Sequence, residues 1–107
     1  MKNYNQLMID VNDDIYKERE RQNAKWGHQR HSHETWHVIA SEECGEVAQA
    51  IQTLKGQGKP TDAQDLYTEC LHASAVYAAF AEQVLEEMRE KVARNCLLDE
   101  TIAKIKP

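Results

Sequence analysis

Backbone punctuation is the tightest constraint on this chain. Four glycines and two prolines are confined to Gly27, Gly45, the cluster Gly56-Gln57-Gly58-Lys59-Pro60 and the final Pro107. Nowhere do β-branched or aromatic residues alternate with polar ones between turn residues, the pattern of a strand. Between the breaks, apolar residues recur at helical spacing. The expectation is an all-α chain in one domain over residues 1–107: a helical bundle of three long helices plus a short C-terminal helix.

The spacing predicts a first helix over 5–24, with Leu7, Met8, Val11 and Ile15 as its apolar stripe. Its second half, Lys17 to Gln22, is a charge run of the kind that usually lies in solvent. A loop over 25–34 follows. A second helix over 35–55 carries Trp36, Ala40, Cys44, Val47, Ile51 and Leu54 at steps of three and four. The glycine-proline cluster ends it. A third helix is predicted over 61–93, capped by Thr61 with Gln64 reaching back. Its stripe is Leu66, Cys70, Ala73, Tyr77, Phe80 or Ala81, Val84 and Met88. The short fourth helix is predicted over 97–105.

The apolar supply is thin. Leu, Ile, Val and Phe total twenty residues beside twelve alanines. A chain this small with so few large apolar residues is expected to complete its core by homo-oligomerisation, as a homodimer or homotetramer, with the alanine-rich run 73–81 as the contact face. Thirteen Lys and Arg against eighteen Asp and Glu give a net charge of −5. That balance argues against a nucleic acid polymer or an anionic membrane as partner. The longest apolar stretch is too short to span a bilayer, and the first ten residues lack the apolar run of a signal peptide. Cys44, Cys70 and Cys96 cannot all pair, so a reducing, cytoplasmic setting is expected.

Against this background some carboxylates stand in unusual places. At about 100° per residue, Glu43 lies about 20° and Glu46 about 80° outside the apolar stripe of the second helix. On the third helix Asp65, Glu69 and His72 line one edge of the stripe. Two antiparallel helices joined by a short linker bring these edges together. Carboxylates that meet at a partly buried place repel one another and resist desolvation, and a divalent cation resolves the conflict. Oxygen-rich ligation favours Mg²⁺ or Mn²⁺ over Zn²⁺. The plainer alternative is a set of solvated or ion-paired glutamates whose stems cover the core edge. Gly45, in the middle of a helix, is expected to permit a close backbone approach.

At these residues the chain resembles the MazG-like nucleoside triphosphate pyrophosphohydrolases of the all-α NTP pyrophosphatase superfamily, most of all the short phage-type members. Glu43-x-x-Glu46 matches the first half of the family's metal motif, and Glu69 matches the first position of the second half. Glu18-Arg-x-Arg-Gln22, Lys25-Trp26-Gly27 and the alanine-rich helix 71–81 resemble the short members too. The likeness covers residues 15–88. His72 stands where larger members have Asp, either as an imidazole ligand or leaving the position to water; Asp65 is the nearest substitute carboxylate.

The resemblance implies cleavage of a (d)NTP between its α and β phosphates, giving a monophosphate and pyrophosphate. It implies Mg²⁺, with Mn²⁺ as the alternative ion, held by Glu43, Glu46, Glu69 and His72. Glu42 is the candidate to orient or deprotonate water. Lys25, Arg19 and Arg21 are candidates for the triphosphate, although the two arginines equally suit pairing along their own helix. Trp26 either stacks on a base or plugs the bundle end. The group His28, His31, His33 and His37 invites a zinc reading, but no cysteine lies among them and the spacing fits no zinc-finger pattern. The rival to an enzyme is a non-catalytic homodimeric helical module that binds nucleotide or protein.

Overall fold

The computed structural model describes residues 3–56 and 63–105, which form three helices and no strand: α1 (Tyr4–Trp26), α2 (His33–Leu54) and α3 (Leu66–Ile105). Among these residues no helix is long and apolar enough to cross a membrane.

Side-chain caps fix where the helices begin. The Asn3 side chain accepts the Gln6 N–H at 3.0 Å, and Ser32 Oγ accepts the Thr35 N–H at 3.1 Å. At the end of α1, Gly27 takes φ +75°, and its N–H reaches the Asn23 carbonyl at 2.8 Å. Only glycine enters that region without strain. These caps shorten the predicted loop at both ends. Thr61, the predicted cap of the third helix, lies outside the described residues. The cap of α3 is Asp65, whose carboxylate accepts the Thr68 N–H at 3.0 Å and the Thr68 hydroxyl at 2.7 Å. No separate fourth helix forms: α3 runs unbroken to Ile105, because the predicted break at 94–96 is Arg-Asn-Cys and contains neither glycine nor proline.

Both α1 and α2 pack on α3. Contacts between His33 and Glu87 at one end, and Glu46 and Glu69 at the other, show α2 antiparallel to α3. Bonds from Tyr67 to Asp14 and from Arg19 to Glu82 show α1 running in the same direction as α3. The apolar core is small: Trp36, Ala40, Val76 and Ala79, flanked by Ile39 and Phe80. The Trp36 and Phe80 rings lie nearly parallel, 6.0 Å between centroids. Trp36 is 3% exposed, and its truncation to Ala is worth on the order of 3–5 kcal/mol. Ala75 and Ala79 are buried inside the chain rather than awaiting a second copy.

The buried faces differ in phase from the predicted stripes. On α2 the covered residues are Trp36, Ile39, Ala40, Glu43, Glu46, Val47 and Ala50, a face turned about 50° from the stripe. Cys44, Ile51 and Leu54 are exposed. On α3 the face toward α2 holds Glu69, His72, Val76, Ala79 and Gln83, about 110° from the predicted stripe. Cys70, Tyr77 and Met88 face away from α1 and α2 and are exposed. The acids therefore occupy the middle of the helix–helix contact, not its shoulder. Nothing lies within 4 Å of a Cβ built on Gly45, so no close backbone approach explains that glycine.

The radius of gyration, 19.9 Å, far exceeds the roughly 13 Å of a compact chain of this length. The excess comes mainly from α3, which extends well past the first turn of α2.

Candidate functional site

Four side chains meet where α2 crosses α3. Glu43 and Glu46 come from successive turns of α2, and Glu69 and His72 from successive turns of α3. One ligand atom from each lies within 4.8 Å of all the others. Spacing of three residues on both helices makes this possible, because i and i+3 share a face. Glu69 is 1% exposed, an extreme burial for a carboxylate. Its Oε1 accepts the Gln64 N–H at 2.9 Å, which ties the start of α3 to the site. Its Oε2, like Oε2 of Glu43, is buried without a hydrogen-bond partner.

Three carboxylates this close cannot all ionise freely. A hydrogen bond to Glu69, desolvation and the charge of Glu43 push Glu46 up to about 7. Without a cation, the cluster therefore retains a proton near neutral pH. A cation fits on two counts. The Oε2 atoms of Glu43 and Glu69 are buried acceptors without a hydrogen-bond partner, and three carboxylates with one imidazole are a donor set that could hold a metal ion.

His72 also faces α1. Its Nε2 lies 3.8 Å from Glu18 and its Nδ1 3.7 Å from Glu69. Glu18 is buried in the middle of the charge run, where Arg21 grips it at 2.7 Å through both Nε and Nη2. That fork holds Glu18 below the ordinary glutamate value despite its burial.

Beside the cluster, between α1 and α2, opens a cavity of about 410 Å³. This is a size typical of small-molecule sites. Glu43 and His72 form its acidic end, Trp36, Ile39 and Val76 its apolar wall, and the end of α1 with Lys25, Trp26 and Gly27 its rim. Arg19 and Arg21 line it too, but both are engaged: Arg19 with Glu82 at 2.6 and 2.7 Å, Arg21 with Glu18. No carboxylate among the described residues holds Lys25, whose Nζ sits 4.8 Å above the Trp26 ring. Trp26 is 59% exposed, so it does not plug the bundle end.

Two other predicted roles find no place in this geometry. Glu42 is exposed and lines neither the cluster nor the cavity, because it points about 100° from the centre of the buried face. Asp65 spends its carboxylate on the cap of α3. The histidines do not converge on one ion either. His33 pairs with Glu87 at 2.9 Å, while His31 stands edge-on to Trp36 with centroids 4.8 Å apart.

Gln83 supports the site from behind. Its Oε1 accepts the Trp36 indole N–H at 2.7 Å and the His31 N–H at 3.1 Å. Its amide donates to the His31 carbonyl at 2.7 Å and to Glu87 at 2.9 Å. Sequence reasoning missed Gln83, and it singled out Glu18 only within the motif Glu18-Arg-x-Arg-Gln22, without giving it a role. The one available signal for Gln83 was that a buried Trp36 needs an acceptor; for the role of Glu18 it was the i,i+3 spacing to Arg21.

Comparison with protein-family models, with curated proteins and with solved structures finds no match.

Proposed function

We propose that the acidic cluster and its cavity form the active site of a metal-dependent nucleoside triphosphate pyrophosphohydrolase that works as a homo-oligomer. The observation that carries this reading is the convergence of Glu43, Glu46, Glu69 and His72, with two buried carboxylate oxygens left unpartnered, at the end of a nucleotide-sized cavity. The family resemblance in the motif residues points the same way.

On this reading the four side chains hold Mg²⁺ or Mn²⁺. The ion, when bound, polarises phosphate oxygens and lowers the pKa of a coordinated water. The chain's own residues do the rest. Lys25, the cation of the rim not held by a carboxylate, meets the triphosphate, and Trp26 offers an exposed ring for a base. Glu18 faces His72 from the α1 side at 3.8 Å and keeps Arg21 at the cavity wall.

The position of Glu42 favours a second reading, a module that binds nucleotide without hydrolysing it, since the candidate base is not at the site. A pyrophosphate-release screen over common and modified (d)NTPs with Mg²⁺ and Mn²⁺ decides between them. Metal-dependent release that Glu69→Gln abolishes supports the enzyme. Saturable nucleotide binding with no release supports the module, and neither binding nor release overturns both.

A further inference from the structure

Residues 88–105 of α3 extend past the first turn of α2, and every one of them is exposed. At 1.5 Å per residue this overhang is about 27 Å long. A helix of that length with nothing packed on it is marginal in water, yet it carries a broad apolar face. Taking Asn95 as the centre, Leu85, Met88, Val92, Leu98, Ile102 and Ile105 all lie within about 80° of it around the axis. Their exposures run from 44% to 76%. The face points away from both α1 and α2, and none of the described residues covers it. An apolar patch of this kind marks an interaction surface.

We propose that the overhang pairs with the overhang of a second copy, antiparallel, about a two-fold axis at Asn95. The pattern along the helix is self-complementary about that residue. Leu85 then stands level with Ile105 of the second copy, Met88 with Ile102, and Val92 with Leu98. Lys91 stands level with Asp99, and the two-fold repeats this ion pair. Asn95 meets itself, with an amide that both donates and accepts; a polar residue at one seam position fixes register and orientation. A parallel pairing would set Lys91 against Lys91 and Asp99 against Asp99, which charge repulsion disfavours. The length fits as well. Ile105 of one copy reaches only as far as Leu85 of the other, where α2 begins to cover α3, so the two bodies lie at opposite ends without collision.

This inference takes up the self-association of the proposed function but none of its chemistry. The test is sedimentation velocity and light scattering on the full chain at micromolar concentration, with circular dichroism to confirm that each variant stays helical. The expected particle has twice the 12.3 kDa chain mass. Lys91→Asp and Asp99→Lys each replace two attractive pairs by two repulsive ones and weaken the dimer by about tenfold. The two substitutions together restore the attraction and recover the wild-type dissociation midpoint. A monomer at all concentrations overturns the inference along with the self-association. A dimer that ignores both single substitutions, or that the double substitution fails to rescue, overturns this interface alone. Either result leaves the pyrophosphatase assay as an independent test of the acidic site.

Discussion

Replacing Glu46 by Gln separates the electrostatic cost of the acidic cluster from its use. Glu46 ionises at about 7 in the folded chain, against an ordinary 4.5, chiefly because it is hydrogen-bonded to Glu69, partly desolvated and close to Glu43. The native state therefore binds a proton that the unfolded chain has released. Stability then falls as pH rises from about 4.5 to about 7, and levels off above that. For a fully enclosed group, a shift of this size is worth roughly 3 kcal/mol. Glu46 is only half-buried, so solvent screening reduces the cost to about 1–2 kcal/mol. Gln keeps the shape and a donor toward Glu69 but never ionises. In EDTA at pH 8, Glu46→Gln is expected to gain about that 1–2 kcal/mol, which corresponds to a melting-temperature rise on the order of 5–10 °C. At pH 4.5 the two proteins should melt alike. On the proposed function, adding Mg²⁺ is expected to reverse the order: the wild type should gain stability by binding the ion, whereas the variant should gain little and release no pyrophosphate. Thermal melts by circular dichroism at both pH values, with and without the ion, supply every comparison. A variant less stable than wild type at pH 8 in EDTA would refute the reasoning, because it would mean the Glu46 charge is not a burden on the fold.

Three further outcomes follow from named contacts. Gln83→Leu leaves the Trp36 indole and both backbone groups of His31 without their partner and should cost about 2–4 kcal/mol in urea unfolding. Gly45→Ala meets open space in a helix interior and should add about 0.5–1 kcal/mol by the same measurement. His72→Asp adds a charged oxygen where Mg²⁺ prefers one; calorimetric titration should show tighter Mg²⁺ binding and a smaller advantage of Mn²⁺.

Much of this molecule was legible in its sequence, but the phase of its helices was not. The all-helical class and the break after the second helix follow from local chemistry that one residue or a few neighbours specify; the caps at Asn3 and Ser32 are equally local, yet the apolar spacing alone starts those helices one or two residues late. The spacing of Glu43, Glu46 and Glu69 was equally readable, since i,i+3 pairs share a face in any helix. The choice of face failed for a physical reason. Large apolar residues such as Ile51, Leu54, Tyr77 and Met88 dominate any hydrophobic stripe, yet they lie where no second helix reaches them. Much of the contact between α2 and α3 is made instead from alanines, polar residues and acids, which a stripe discounts, around Trp36, Ile39, Val76 and Phe80. Glu18 was hidden in the same way, because burial inside a charge run depends on Arg21 closing over it.

The two ends of the α2–α3 contact are built from different materials, and they answer to different solutes. Around Trp36, Phe80 and Gln83 the helices adhere through ring stacking and the hydrogen bonds of the Gln83 amide, with the exposed His33–Glu87 pair beside them, and chelators disturb none of these. About three turns away, around Glu46 and Glu69, adhesion depends on how the acids are compensated. Stripping divalent ions should therefore open the pair from one end, like a clasp. Amides near the end of α2 and the start of α3 should exchange their hydrogens through local opening, while those around Trp36 and Val76 wait for the whole chain to unfold. A gradient of protection along two packed helices, steep in EDTA and shallow in Mg²⁺, would be the visible sign of an interior that is part oil and part electrolyte.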